Sequence, residues 1–170
     1  AGAGITIMEE GTELLHRLRD GGVLPMFTSC CPGWIEFVEK CDPELIPHLS
    51  TAKSPHMMGG AIVKEYFPEQ IGKKDGEIKL VSIMPCLRKQ GEADRIHFQT
   101  KTGARDVDHV LTTRDVAAMI KEKGIDFESL PESGFDPFLG IGTGAGVLFG
   151  TTGGVMEASL RTVVEVAGGK

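Results

Sequence analysis

Two short apolar runs, residues 23–28 and 78–84, each lead within a few residues to cysteine, at Cys30-Cys31 and at Cys86, and the first of them gives way to a helix-like segment, Trp34-Ile35-Glu36-Phe37-Val38-Glu39-Lys40. A third run, residues 107–111, precedes Thr112 and Thr113, either of which suits the cap of a helix over residues 114–123 that Gly124 closes. Strands that alternate with helices form an α/β layer of mostly parallel strands, and the ligand sites of such layers lie beyond the strands' carboxyl ends. The expected fold class is therefore α/β, with a twisted, mostly parallel sheet flanked by helices. Cys31 and Cys86 would meet on one edge of it.

The remaining segments read more simply. Met8, Leu14, Leu15 and Leu18 recur at helical spacing over residues 7–19, and Gly21-Gly22 stops that helix. Pro32 suits the first turn of the helix after the cysteine pair. Residues 43–49 form a short helical turn, and Ser54 caps a helix that Pro55 opens and that runs through Tyr66. Pro68 and residues 72–76 break the pattern. Residues 125–140 are irregular, 141–154 glycine-rich, and 155–167 a closing helix.

Composition bounds the possible roles. A chain of 170 residues suffices for one core, and 41% hydrophobic with 25% charged residues excludes a disordered tail or a membrane-embedded chain. A net charge of -6 without a Lys/Arg cluster speaks against a nucleic-acid partner. There is neither a signal-peptide pattern nor a run of roughly 20 apolar residues, so no membrane segment is expected. Four unevenly spaced cysteines are too few for a disulfide framework, which points to a reducing, cytoplasmic setting. Nor do they match the common four-cysteine ferredoxin or zinc runs. The histidines His16, His48, His97 and His109 share no metal spacing, Met57-Met58 reads as core, and Gly142-Thr143-Gly144-Ala145-Gly146 lacks the preceding strand that a dinucleotide loop needs.

Chemistry concentrates at two places. Cysteines just ahead of a helix sit beside its positive dipole end, an environment that favours the thiolate needed to ligate metal or move protons. Neighbouring side chains on an extended segment point opposite ways, so Cys30 and Cys31 can divide the labour. The plain alternative is two cysteines packed as small hydrophobes. In Met84-Pro85-Cys86-Leu87-Arg88-Lys89, a helical turn after the cysteine would put Lys89 on the same face, able to hold an anion beside Cys86, with Glu92 one further turn along. Otherwise Lys89 is a solvated lysine.

Thr28-Ser29-Cys30-Cys31-Pro32-Gly33-Trp34 and Met84-Pro85-Cys86-Leu87-Arg88-Lys89 resemble the first two signature motifs of the catalytic domain of iron-only (FeFe) hydrogenases. The similarity extends to Lys53-Ser54-Pro55, Glu92-Ala93-Asp94-Arg95 and the glycine-rich run from Gly144 to Ala158. It implies a centre that joins a 4Fe-4S cubane to a two-iron subsite carrying carbon monoxide, cyanide and a bridging dithiolate amine, together called the H-cluster. By this resemblance Cys31 and Cys86 are cubane ligands, and Cys30 passes protons to and from the bridging amine. Lys89 hydrogen-bonds a cyanide, while Met84 and Ser54 belong to the surroundings of the two-iron subsite. Glu10, Ser50 and Glu13 form the proton path, with Arg17 near its outer end. Glu10 and Glu13 are three apart and share a helix face. Taken alone they would read as a solvated face.

The third motif of the family, a Cys-x-x-x-Cys segment that supplies the other two cubane ligands, is absent, and Cys41 has no counterpart among the ligands and is read as structural. His56 and Gly59 stand where glutamine and a bulky apolar residue are common. Residues 1–170 are therefore expected to be a partial catalytic domain, one lobe of two. The reaction implied is reversible reduction of protons to dihydrogen, with ferredoxin or a similar electron carrier and the hydrogenase maturation proteins as partners. The isolated chain, with two of four cubane ligands, is expected neither to assemble the centre nor to turn over. The alternatives are a non-catalytic relative that serves iron-sulfur protein assembly, or a hydrogen-sensing homologue.

Overall fold

In the computed structural model, which describes residues 1–168, the chain forms two compact units: residues 1–58 with the segment from Ile141 onward, and residues 59–140. Its length suggests one core; its contacts group into two.

In the first unit, helix α1 spans Gly2–Asp20 and ends on Gly21, whose positive φ of 74° makes the left-handed turn that glycine adopts at least cost. It starts at Gly2 rather than Ile7, because the first turn carries no apolar periodicity that sequence alone could register. α1 packs on the last two helices of the chain, Gly144–Phe149 and Gly154–Gly168. The first of these lies in the stretch read from the sequence only as glycine-rich, with no helix expected there. Thr143 caps it, its hydroxyl accepting from the Gly146 amide at 3.4 Å, so Gly142 to Gly146 open a helix. At Gly154 a Cβ would stand 1.8 Å from the Leu148 carbonyl oxygen, and only glycine fits that turn.

The strand expected over residues 23–28 does not form. Only Phe27 pairs, in an isolated parallel bridge with Leu49, where its N–H donates to the His48 carbonyl and its carbonyl accepts from the Ser50 amide, both at 2.8 Å. Pro25 has no N–H to give to a ladder, which explains why pairing is limited to one residue. Helix α2 (Pro32–Cys41) then starts with Cys31 as its extended N-cap residue and Pro32 in its first turn, as expected. Phe27 meets Trp34 edge-on with ring centroids 6.0 Å apart, so the two ends of the cysteine loop are tied by an aromatic contact. A 3-10 turn over Pro43–His48 follows. Helix α3 (Pro55–Gln70) begins at the predicted cap, the Met57 amide donating to the Ser54 hydroxyl at 3.3 Å, and continues past Tyr66 and Pro68. Met57 is fully buried.

The second unit holds the sheet. β1 (Val81–Met84) and β2 (His109–Thr112) run parallel, paired from Val81 with His109 to Met84 with Thr112. The α/β class is thus observed, with a sheet of two parallel strands. Between them lies α4 (Arg88–Ala93), and β2 passes directly into α5 (Thr113–Glu122) through a capping box. There the Thr112 hydroxyl accepts from the Asp115 amide at 3.1 Å, and the Asp115 carboxylate accepts from the Thr112 amide at 2.8 Å. With these two added, the closing helices Gly144–Phe149 and Gly154–Gly168 become α6 and α7.

The strand ends are fixed by a group the sequence reading did not single out. Lys64 of α3 has no exposed side-chain surface; its Nζ lies 2.6 Å from an Asp108 carboxylate oxygen and donates to the Ile78 carbonyl at 2.6 Å. The same Asp108 oxygen accepts from the Leu80 amide at 2.8 Å, and the Asp108 amide donates to the Leu80 carbonyl at 3.0 Å. Lys64 and Asp108 therefore lock the entry to β1, the strand whose far end leads to Cys86.

Candidate functional site

Glu10 and Glu13 face the interior of the first unit rather than solvent. Glu10 is 1% exposed: one of its carboxylate oxygens accepts from the Ser29 amide at 3.3 Å, and the other, Oε2, is buried without a hydrogen-bond partner. Burial pushes its carboxyl above the ordinary carboxylate range; the Ser29 amide opposes this, the charge of Glu13 adds to it, and the nearby Ser50 hydroxyl opposes it again.

Glu13 stands in the opposite condition. Its Oε1 accepts from Nε and an NH2 nitrogen of Arg17 at 3.0 and 2.6 Å, and its Oε2 accepts from the Ser50 hydroxyl and the Thr51 amide, both at 2.8 Å, and from the Thr51 hydroxyl at 3.2 Å. Burial raises its carboxyl, yet Thr51, Ser50 and Arg17 together outweigh burial and hold it below the usual range. Two glutamates one helical turn apart are thus tuned in opposite directions, the inner toward holding a proton and the outer toward remaining charged.

The segments around them are joined by the same residues. Ser50 is buried and accepts from the Ala52 amide at 3.1 Å, while the Ser29 hydroxyl donates to the Ala52 carbonyl at 2.8 Å. Arg17 donates also to the carbonyls of Val23, Pro47 and Leu49, at 3.0, 3.1 and 2.7 Å. Ser29 and Thr51 were not foreseen; only the place of Ser29 beside the cysteine pair hinted at its contact. Cys30, next to Ser29, is half-buried, and Cys31 is exposed.

Because Glu10 binds protons more tightly folded than unfolded, the native state gains protons relative to the unfolded chain just above the ordinary carboxyl pKa. The buried carboxylate then costs stability as pH rises through its raised value. Glu10→Gln, which cannot ionise, should raise the unfolding midpoint at pH 7 by about 2–4 °C, the shift that ~1 kcal/mol produces in a chain of this size. The advantage should vanish as pH falls below the ordinary carboxyl range. Thermal unfolding followed by circular dichroism from pH 3 to 7 reads it, and an equal midpoint at pH 7 would refute the buried-charge account.

In the second unit, Met84 ends β1 half-buried and Cys86 is exposed. A helical turn does follow: the Lys89 amide donates to the Cys86 carbonyl at 3.2 Å, and Lys89 lies in α4. Lys89 is no solvated lysine. Its ammonium stands 2.9 Å from Glu92 Oε2, with side-chain exposures of 11% and 6%. Ser54, in the first unit, is buried with its hydroxyl engaged as the α3 cap. Cys41, read as structural, is exposed at the last residue of α2. Of the histidines, His16, His97 and His109 are exposed, and His48 hydrogen-bonds the Pro25 carbonyl through Nδ1 at 2.8 Å.

Across all 170 residues the chain matches the family model described as iron only hydrogenase large subunit, C-terminal domain. The chain belongs to the iron-only hydrogenase family. It is 49% identical to iron hydrogenase 1 of Clostridium pasteurianum, over 98% of this chain and 29% of that protein. It is 48% identical to the periplasmic Fe hydrogenase large subunit of Nitratidesulfovibrio vulgaris, over 99% and 40%. An apo FeFe-hydrogenase of Chlamydomonas reinhardtii superposes with a TM-score of 0.84 at 55% identity, over 96% of this chain and 42% of that one. A solved FeFe-hydrogenase described for degradation of its H-cluster 2Fe subcluster matches equally well, with a TM-score of 0.84. A cytosolic Fe-S cluster assembly factor of Schizosaccharomyces japonicus is more distant, 41% identical over 63% of this chain and 21% of its own length. The chain spans less than half the length of each of these relatives. Since one of them is named periplasmic, membership sets no compartment. Among the described residues no helix is long and apolar enough to cross a membrane.

The residues present fit a share of an H-cluster. Cys31, the N-cap residue of α2 whose thiol makes no cap hydrogen bond, and Cys86, at the turn into α4, are both exposed, and among the described residues no three His, Cys, Asp or Glu side chains gather as a metal site on their own. A cubane takes four thiolates, and exposed thiols of this kind have the donor chemistry such a cluster needs.

Proposed function

We propose that this chain serves as part of a hydrogenase catalytic domain that reversibly reduces protons to dihydrogen. Cys31 and Cys86 hold the cubane, Met84, Ser54 and Lys89 surround the two-iron group, and Cys30 exchanges protons with it. When bound, the iron centre would pass on the carrier's electrons and supply the bond-making chemistry; the protein supplies position, exclusion of water and a path for protons. One observation carries the reading: beside the cysteine loop a buried Glu10 and a half-buried Glu13, the latter accepting from Ser50, are tuned in opposite directions.

The tuning gives the path a sense. Glu13, held ionised by Arg17 and Thr51 at the outer end, accepts protons arriving from solvent. The Ser50 hydroxyl, which donates to Glu13, passes protons inward by turning its own proton toward Glu10 and taking a replacement from protonated Glu13. Glu10 holds a proton more readily than Glu13 does, so proton affinity rises toward Cys30 and inward delivery runs downhill. Electrons come from ferredoxin or a similar carrier, and the centre is installed by hydrogenase maturation proteins. Four free cysteines are in keeping with a reducing, cytoplasmic setting.

Presence of Cys30 together with Glu10, Ser50 and Glu13 favours turnover over sensing or cluster assembly. The test is an anaerobic hydrogen assay with iron analysis on the full-length protein after maturation. Hydrogen evolution with a reduced carrier is expected, and an iron-loaded protein without turnover would favour the non-catalytic alternatives. The 170-residue chain alone, supplying two of four cubane ligands, is expected to stay inactive.

A further inference from the structure

Lys89 and Glu92 present a problem of energetics. Two oppositely charged side chains, 11% and 6% exposed and 2.9 Å apart, lose much of their hydration, and an apolar pair of similar volume commonly holds a fold as well or better. Stability therefore does not account for the pair. Its placement does suggest a purpose. α4 starts directly after Cys86, and the Lys89 amide donates to the Cys86 carbonyl, so the backbone fixes where the lysine stem leaves the chain. That stem is four carbons long and rotates freely unless its tip is held. Glu92, three residues on along the same helix face, is placed to hold it.

We propose that Glu92 is a positioning residue that fixes the Lys89 ammonium beside Cys86 so that it meets an anionic ligand of the iron centre in one orientation. The inference rests on the assignment of Lys89 to a cyanide of the two-iron group made above, and Glu92 itself does not touch that group. An ammonium carries three N–H donors, so one can be held by Glu92 while another faces the ligand. A neutral amide at position 92 keeps the shape and an acceptor oxygen but removes the charge that draws the ammonium in.

Glu92→Gln in the matured full-length protein tests this. Iron content should equal that of the wild type, turnover should fall about 10- to 100-fold, as outer-shell substitutions at metal sites commonly do, and the infrared cyanide stretching bands should shift and broaden. In parallel, the double variant Lys89→Met with Glu92→Leu should unfold at a midpoint no lower than the wild type. Unchanged turnover and cyanide bands in Glu92→Gln would overturn the inference. So would a fall in both iron content and midpoint in the double variant, which would make the pair structural. A matured wild type showing no cyanide bands would overturn the reading of the site, and the inference with it.

Discussion

Cys30→Ser in the full-length protein should lower hydrogen turnover by about 100-fold or more and leave iron content near that of the wild type. Serine matches cysteine in shape, so the loop between Phe27 and Trp34 should keep its conformation and the Ser29 amide should still donate to Glu10. What changes is acidity: a hydroxyl gives up its proton far less readily than a thiol, and a relay is only as fast as its least willing member. Cys31→Ser serves as the contrast. As a ligand position it should lose iron and turnover together. Iron analysis and a hydrogen assay on the two variants separate the roles, and a parallel loss of iron in Cys30→Ser would make Cys30 a ligand instead of a proton carrier.

Asp108→Ala should destabilise the fold by about 3–5 kcal/mol, because it leaves the fully buried Lys64 ammonium facing backbone carbonyls without a counter-charge. Lys64→Met should cost far less. Methionine fills the space of the stem, and Asp108 keeps the Leu80 amide at 2.8 Å and the exposed Lys79 ammonium at 3.1 Å. Combining the two should recover much of the loss, a coupling that urea unfolding of the four proteins measures directly. A cost for Asp108→Ala below about 1 kcal/mol would show that Lys64 finds water on relaxation. The pH dependence has a definite sign. Burial opposes ionisation of Asp108, but Lys64, the Leu80 amide and Lys79 hold its carboxyl down to about 2. Its contribution is therefore complete above the ordinary carboxyl range and is lost as pH falls through about 2, where wild type and Asp108→Ala should converge.

The two predictions draw on residues of very different legibility. Cys30, Cys31 and Cys86 are evident in the sequence, since reactive side chains beside proline and a helix start form local patterns. The helix starts were equally local: Ser54-Pro55 and Thr112 mark where α3 and α5 begin, because a cap is satisfied within three residues. The run over residues 23–28 misled for a related reason. Its apolar character is that of a strand, but Pro25 removes a ladder donor, and whether one bridge or several form depends on the partner segment around Leu49. Lys64 was unreadable. Nothing in its own helix shows that Asp108, far along the chain, will meet it.

The sequence by itself determined the family, the two cysteine motifs and the spacing that places Glu10 and Glu13 on one helix face. Only the tertiary structure decided that Glu10 on this face is buried and Glu13 half-buried, that Ser50 and Thr51 grip Glu13 while Glu10 keeps an unpartnered oxygen, and that Lys89 is clasped by Glu92 rather than solvated. The physical reason is that residue types and short spacings are set by the chain alone. The dielectric around a carboxyl and the donors that reach it come from segments tens of residues away, and those two quantities govern whether a glutamate is a solvated charge or a station for protons.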